Sequence, residues 1–312
     1  MNALVKVATA PSPGAAGLSP VPSSCYLCGG TRLSLRFPAR DAEGGHEIYR
    51  CTSFGHRCHP PIWACLECGL LFQWPMRGAD ELRRAYEDVE DPLYVTEREN
   101  RLHTFRRVLA AVGPARGRRL LDVGAYCGYF LEVASAAGFH AEGLELSRWA
   151  ASQARASGFA VHRETLAEAV GSDRRYDVVT LWDVLEHLPD PRADLAAAFR
   201  LLEPGGRIHL STIDAASLVA RLLGARWPWL MDMHLFYFDR STLPALLQEV
   251  GFREVQRRAY VHTVSVDYLL RKAAASFPLL APLVSLLRRV VPAQWPIPVN
   301  LGDNMHVTAV RP

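Results

Sequence analysis

The stretch RLLDVGAYCGYFLEVASAAG, residues 119–138, decides how this chain folds. Its first six residues form an apolar run ending at Gly124, the pattern of a strand buried on both faces. YFLEVASAAG (129–138) reads as a helix stopped by Gly138. The same unit repeats outward from there. HAEGLELS (140–147) predicts a strand and RWAASQARASG (148–158) a helix; AVHRE (160–164) and YDVVTLWD (176–183) predict two more strands. PRADLAAAFRLL (191–202) predicts a helix, Pro204, Gly205 and Gly206 a turn, and GRIHLSTI (206–213) a fifth strand. A helix near 241–250 and strands over 253–265 and 305–311 complete the series. Alternation of this kind predicts an α/β fold: a seven-stranded, mostly parallel sheet with helices on both faces.

Such a sheet binds ligands at the carboxyl ends of its strands. The loop Asp122 to Gly128 leaves the first strand there. Glycines at 124 and 128 let a ligand approach the backbone. A dinucleotide fingerprint would place a third glycine at 126, where this chain has Tyr126, so the loop is wider than a pyrophosphate cradle. Glu145 ends the second strand, 21 residues after Gly124, where a carboxylate can accept both hydroxyls of a ribose. Together these predict a nucleoside-bearing cofactor on a Rossmann-like sheet.

Residues 86–311 resemble class I S-adenosylmethionine (SAM)-dependent methyltransferases. They are most similar to the broad bacterial group of ubiquinone-type O-methyltransferases and sugar methyltransferases. The resemblance rests on LLDVGAYCGYFLEVA, GLELSRWAASQAR, YDVVTLWDVLEHLPDP, LEPGGRIHLSTID and HLFYFDRSTLPALLQEVGF. It implies that Gly124 and Gly128 cradle the methionine part of SAM, with Asp122 and Tyr126 among the cofactor-binding residues. Glu145 would hold the ribose, Leu146, Thr165 and Leu166 would flank the adenine, and Asp183 would contact the cofactor or the substrate side. Tyr126 departs from the family loop, which often has glycine there.

An alcohol acceptor needs a base as well as alignment with the methyl group. Glu186 and His187 follow the fourth strand directly, and His187 is the expected base with Glu186 assisting or orienting. His234, within the aromatic segment 227–238, is a second candidate. That segment reads either as a lid over the acceptor or as core packing. Cys127 reads as a small buried residue.

Cys25 and Cys28 form one C-x-x-C pair, and Cys65 and Cys68 another, with 36 residues between the pairs. Each pair offers two thiolates from one turn, so the four predict a structural zinc site of ribbon type. The gap exceeds the compact spacing of about 15–20 residues and requires an inserted hairpin. Cys51, His56, Cys58 and His59 lie in that gap at irregular spacing. Some sugar C-methyltransferases carry a similar four-cysteine module, which makes a saccharide or nucleotide-sugar acceptor attractive.

The organisation expected is a disordered leader (1–20), a zinc-ribbon-like module (21–80), a helical segment (81–115) and the SAM-binding domain (116–312). Lid or insertion segments fall near 214–240 and 266–300. No run reads as a signal peptide or a spanning helix, so a cytoplasmic enzyme is expected. Residues 277–299 are expected to pack as a hydrophobic insertion on the lid rather than to touch a membrane. The formal net charge of +3 argues against nucleic acid as partner. The expected function is methyl transfer to a small-molecule or saccharide-type acceptor, with O-methylation favoured over C-methylation. Two rivals remain: an RNA methyltransferase that grips nucleic acid through the zinc module, and a SAM-binding scaffold without turnover. The oligomeric state stays open.

Overall fold

The computed structural model describes residues 21–40, 49–52, 58–276 and 278–312. The expected leader and His56 lie outside them. The amino-terminal part contributes β1 (Leu33–Phe37), β2 (Ile62–Cys65) and β3 (Leu71–Gln73). Three helices follow: α1 (Ala79–Glu87), α2 (Pro92–Thr96) and α3 (Arg98–Val112). The repeat begins with β4 (Arg119–Val123), α4 (Tyr129–Ala136), β5 (His140–Leu144) and α5 (Arg148–Ala156). It continues with β6 (Ala160–His162), α6 (Leu166–Ala169), β7 (Tyr176–Trp182), α7 (Pro191–Leu201) and β8 (Leu202–Ile213). Beyond it lie α8 (Leu218–Leu223), β9 (Phe236–Tyr237), α9 (Thr242–Val250), β10 (Arg253–Ala259) and β11 (His262–Ser265). The chain ends with α10 (Val266–Ser276), α11 (Ala281–Val290), β12 (Pro296–Val299) and β13 (Asn304–Val310).

The main sheet has the order β10-β13-β8-β7-β4-β5-β6, with β13 antiparallel to β8 and β10 and the remaining pairs parallel. This is the expected seven-stranded, mostly parallel Rossmann-like sheet. Its central strands are apolar because both faces are covered: Leu120, Leu121, Val178, Val179 and Leu181 are fully buried. The helices between them start where side chains can satisfy the first backbone N–H groups. Ser147 accepts from Ala150 N at 3.0 Å, and Asp190 accepts from Ala193 N at 3.0 Å with Pro191 next in the chain.

Two expectations change. The strand expected over 253–265 breaks at Tyr260, whose buried ring stacks on Trp182 at 5.9 Å. Beyond the break β11 leaves the main sheet and pairs with β12. β8 also starts earlier than expected, and the 204–206 turn survives as a bulge in its pairing with β7. A separate four-stranded sheet, β1-β2-β3-β9, joins the cysteine-rich part to the chain after β8. Among the described residues no helix is long and apolar enough to cross a membrane.

Candidate active site

A cavity of ≈ 840 Å³ lies at the carboxyl ends of β4 to β8. Its size is near the upper end of ligand sites, which run to about 1,000 Å³, so it has room for a cofactor and an acceptor side by side. Asp122, Gly124 and Tyr126 line it from the loop after β4. Glu145 and Leu146 line it after β5, Thr165 and Leu166 after β6, and Asp183 after β7. Gly128, expected in the same cradle, is not part of this wall. Its φ of 79° starts α4, and a Cβ there would stand 2.9 Å from Ala154 Cβ, so its missing side chain serves helix packing against α5.

The loop is braced by Glu145. Tyr126 N donates to its Oε2 at 2.9 Å and Ser147 N to its Oε1 at 2.7 Å. Each oxygen keeps a further lone pair. Burial pushes this carboxyl above the usual range, against those backbone donors. Gly124 turns the chain at φ +70°, and a Cβ there would stand 2.6 Å from Val184 Cγ2. The Tyr126 hydroxyl is buried without a hydrogen-bond partner. A braced carboxylate, an approachable glycine and an orphaned hydroxyl in one cavity fit the ribose and amino-acid ends of SAM. Asp122 sits deeper, accepting from Thr180 Oγ1 at 2.6 Å, and burial pushes it up to about 8.

Another part of the cavity wall is built on a short 3₁₀ turn, Leu185–His187, directly after β7. It brings together the three catalytic candidates: one ligand atom each from Glu186, His187 and His234 lie within 4.8 Å of one another. His187 Nδ1 bonds the Met233 carbonyl at 2.9 Å, which assigns the proton to Nδ1 and leaves Nε2 as the acceptor. Burial pushes this ring down to about 4. His234 Nδ1 makes the corresponding bond to the Trp229 carbonyl at 2.9 Å. Glu186 is buried, its Oε2 has no hydrogen-bond partner, and burial followed by the Asp183 carboxylate pushes it up to about 8.

Two cavity residues escaped the sequence reading. His262 Nε2 lies 3.6 Å from Asp183 Oδ2, while Ser211 Oγ donates to Asp183 Oδ1 at 2.6 Å. Lys272 Nζ lies 4.1 Å from the Trp229 ring centre. No local motif marks either one. Their only signals are a histidine where the chain leaves the sheet and one of the two lysines in an arginine-rich chain.

The four predicted metal ligands also converge, with their sulfurs within 4.8 Å of one another. Cys25 and Cys68 approach to 3.6 Å and Cys28 and Cys65 to 3.5 Å. A tetrahedral zinc with bonds of about 2.3 Å needs sulfurs about 3.8 Å apart. Leu27 N, Gly30 N and Glu67 N each point at a ligand sulfur at 3.4 Å, and Gly29 and Gly69 take positive φ to close the two knuckles. The donor set therefore fits zinc.

This cluster is tied to the cavity wall that carries Met231, Met233 and His234. β3 pairs with β9, Gln73 N and Nε2 donate to the Leu235 and Met231 carbonyls at 2.9 and 2.8 Å, and Arg77 Nη2 bonds Asp232 at 2.6 Å. On the other side Tyr26 bonds Asp190 and accepts from Arg192 N at 2.8 Å.

Comparison with known proteins places this geometry. Residues 94–257 match the family model described as "Methyltransferase domain". A ubiquinone biosynthesis O-methyltransferase of Ralstonia nicotianae is 30% identical over 187 residues, covering 52% of this chain and 79% of the relative. One of Methylococcus capsulatus with the same name is 38% identical over 135 residues, covering 38% of this chain and 56% of the relative, so the match spans little more than half of that protein. Among solved structures, the complex between the Haloferax volcanii Trm112 methyltransferase activator and a methyltransferase matches at 17% identity and TM-score 0.51. It covers 69% of this chain and 90% of that one, a likeness of fold alone. With the family model spanning more than half of its residues, the chain belongs to the methyltransferase-domain family and is a class I SAM-dependent methyltransferase.

Proposed function

We propose that this methyltransferase methylates the hydroxyl of a flat, apolar small molecule of phenol or quinol type, with Glu186 taking the proton. The observation that carries the reading is the buried Glu186 Oε2, which lacks a partner and stands beside two imidazoles in the cavity wall. A base works best when its pKa is near the working pH. Glu186, at about 8, meets that condition, whereas His187, at about 4, is too weak a proton acceptor. The base expected at His187 is therefore reassigned to Glu186, and His187 and His234 aim the acceptor oxygen.

Trp229, Met231, Met233, Tyr260, Tyr268 and Leu269 line the acceptor side. Rings and thioethers stack well on an aromatic acceptor. This favours a phenolic acceptor over the saccharide expected from the cysteine module, and relatives named for ubiquinone biosynthesis accord with it. Glu145 holds the ribose, Gly124 and Tyr126 the amino-acid end, and Thr165 and Leu166 the adenine. Bound SAM supplies an electrophilic methyl group on a positively charged sulfur. The acceptor oxygen bonds that carbon as the carbon–sulfur bond breaks, S-adenosylhomocysteine leaves, and the hydroxyl proton passes to Glu186. The four cysteines hold a structural zinc whose module braces the acceptor wall.

The test is methyl transfer from labelled SAM to a catechol, a short-chain quinol, a nucleotide sugar and total RNA in parallel. Label in the catechol or quinol is the expected result. Label confined to the sugar or to RNA overturns the acceptor assignment.

A further inference from the structure

Of residues 277–299, expected to pack as a hydrophobic insertion, Val284 is buried but several other apolar side chains are exposed. α10 turns Leu269, Lys272 and Ala273 to the cavity. α11 packs back on α10, held by Arg288 Nε to Asp267 Oδ1 at 2.5 Å. On α11, Val284 is buried and Leu287 half-buried, whereas the neighbouring stripe of Leu283, Leu286 and Val290 faces solvent. Leu279 just before the helix is 97% exposed, and Trp295 just after it 60%. α8 has the same character: Val219 and Leu223 line the cavity, while Leu218 and Leu222 are 71% and 75% exposed.

The charge is just as concentrated. Within 266–300 stand Arg271, Lys272, Arg288 and Arg289 against Asp267 alone, so this segment carries the whole net +3 and the rest of the chain is balanced. Exposed leucines in helical register, a basic flank and a tryptophan at the edge are the chemistry that enters a bilayer's headgroup layer. A second copy would bring the same positive segment against its own like charge.

We propose that α11, with the adjoining 291–301 segment and α8, docks on an anionic lipid surface. Docked in this way, α8 and the 291–301 segment, which line the cavity through Val219, Leu223, Val299 and Leu301, lie against the bilayer. On the acceptor reading above, which this consequence alone requires, an apolar acceptor enters from the lipid. The docking itself is independent of what is methylated.

The experiment is co-sedimentation of the full zinc-loaded chain with vesicles of phosphatidylcholine alone and of phosphatidylcholine mixed with phosphatidylglycerol. The chain is expected to bind the mixed vesicles, with binding that falls as salt rises. Leu286→Ser with Val290→Ser, and separately Arg289→Glu, are expected to weaken binding roughly tenfold or more while SAM affinity is unchanged. No binding to mixed vesicles, or binding that both variants retain, overturns the proposal. So does a dimer in sedimentation velocity that the Leu286→Ser, Val290→Ser variant dissociates, because the face then belongs to a second copy.

Discussion

Carrying the pH from 7 to 9 should switch this enzyme on through one carboxyl. With Glu186 at about 8, roughly a tenth of it is ionised at pH 7 and roughly nine-tenths at pH 9. kcat/KM, which reports the free enzyme's groups, should therefore rise roughly tenfold across that interval. An acceptor whose own hydroxyl titrates would add a similar limb, so the comparison that matters is with Glu186→Gln. That variant should lose about 10²–10⁴-fold of the rate and the rise with it, while His187→Gln loses rate but keeps the rise. Stability gives a second reading of the same group. A carboxyl raised in the folded state holds a proton that the unfolded chain releases, so its contribution is complete below the unfolded value of 4.5 and is lost as pH climbs through about 8. At about 1.4 kcal/mol per unit this amounts to a few kcal/mol. The thermal midpoint should fall over that window, and less steeply in Glu186→Gln. The assays are initial rates and thermal melts in matched-ionic-strength buffers. An alkaline rise that survives in Glu186→Gln refutes the base assignment.

Three further outcomes follow from the geometry. Glu145→Ala should weaken SAM binding by ~1–3 kcal/mol in calorimetry, since it removes a charged acceptor and frees two backbone donors; unchanged affinity removes Glu145 from the site. Gly124→Ala should cost SAM affinity and ~1 kcal/mol or more of stability, from positive φ and the Val184 clash. Adding Val184→Ala should recover the steric part alone, and full recovery would show that φ is unimportant there. Stripping zinc, or Cys28→Ser, should raise KM for the acceptor and expose the β3–β9 junction to hydrogen exchange, while SAM still binds; a chelated enzyme with unaltered acceptor KM would sever the module from catalysis.

What the sequence disclosed and what it hid follow from interaction range. Each βα unit closes within a few tens of residues. Apolar runs, capping residues and terminating glycines therefore signalled β4 to β7 with their first residues correct, and the loops that follow those strands could be placed at the carboxyl edge. The paired cysteines were legible because metal ligands repeat a fixed local spacing. Gly128 shows the limit of motif reading, since a glycine beside a cofactor loop can exist for a helix crossing. The acceptor half was hidden because its contacts are long-range. β9 is two residues long, and the β3 strand it pairs with lies more than 160 residues earlier. No periodicity reports such a bridge.

That bridge also bears on the role of the cysteine module. Gln73 and Arg77 grip the backbone and side chain of the segment carrying Met231, Met233 and His234. Leu235 N in turn donates to the Glu186 carbonyl at 2.8 Å. From the cysteine knuckles to the carboxyl assigned as base, the path is therefore one short sheet and two hydrogen bonds. Of the arginines in the module, Arg77 is turned onto Asp232 at 2.6 Å, whereas Arg32, Arg36 and Arg40 face solvent. Arg77 thereby helps to hold the segment carrying His234 against the Leu185–His187 turn, so metal loading and acceptor recognition should fail together.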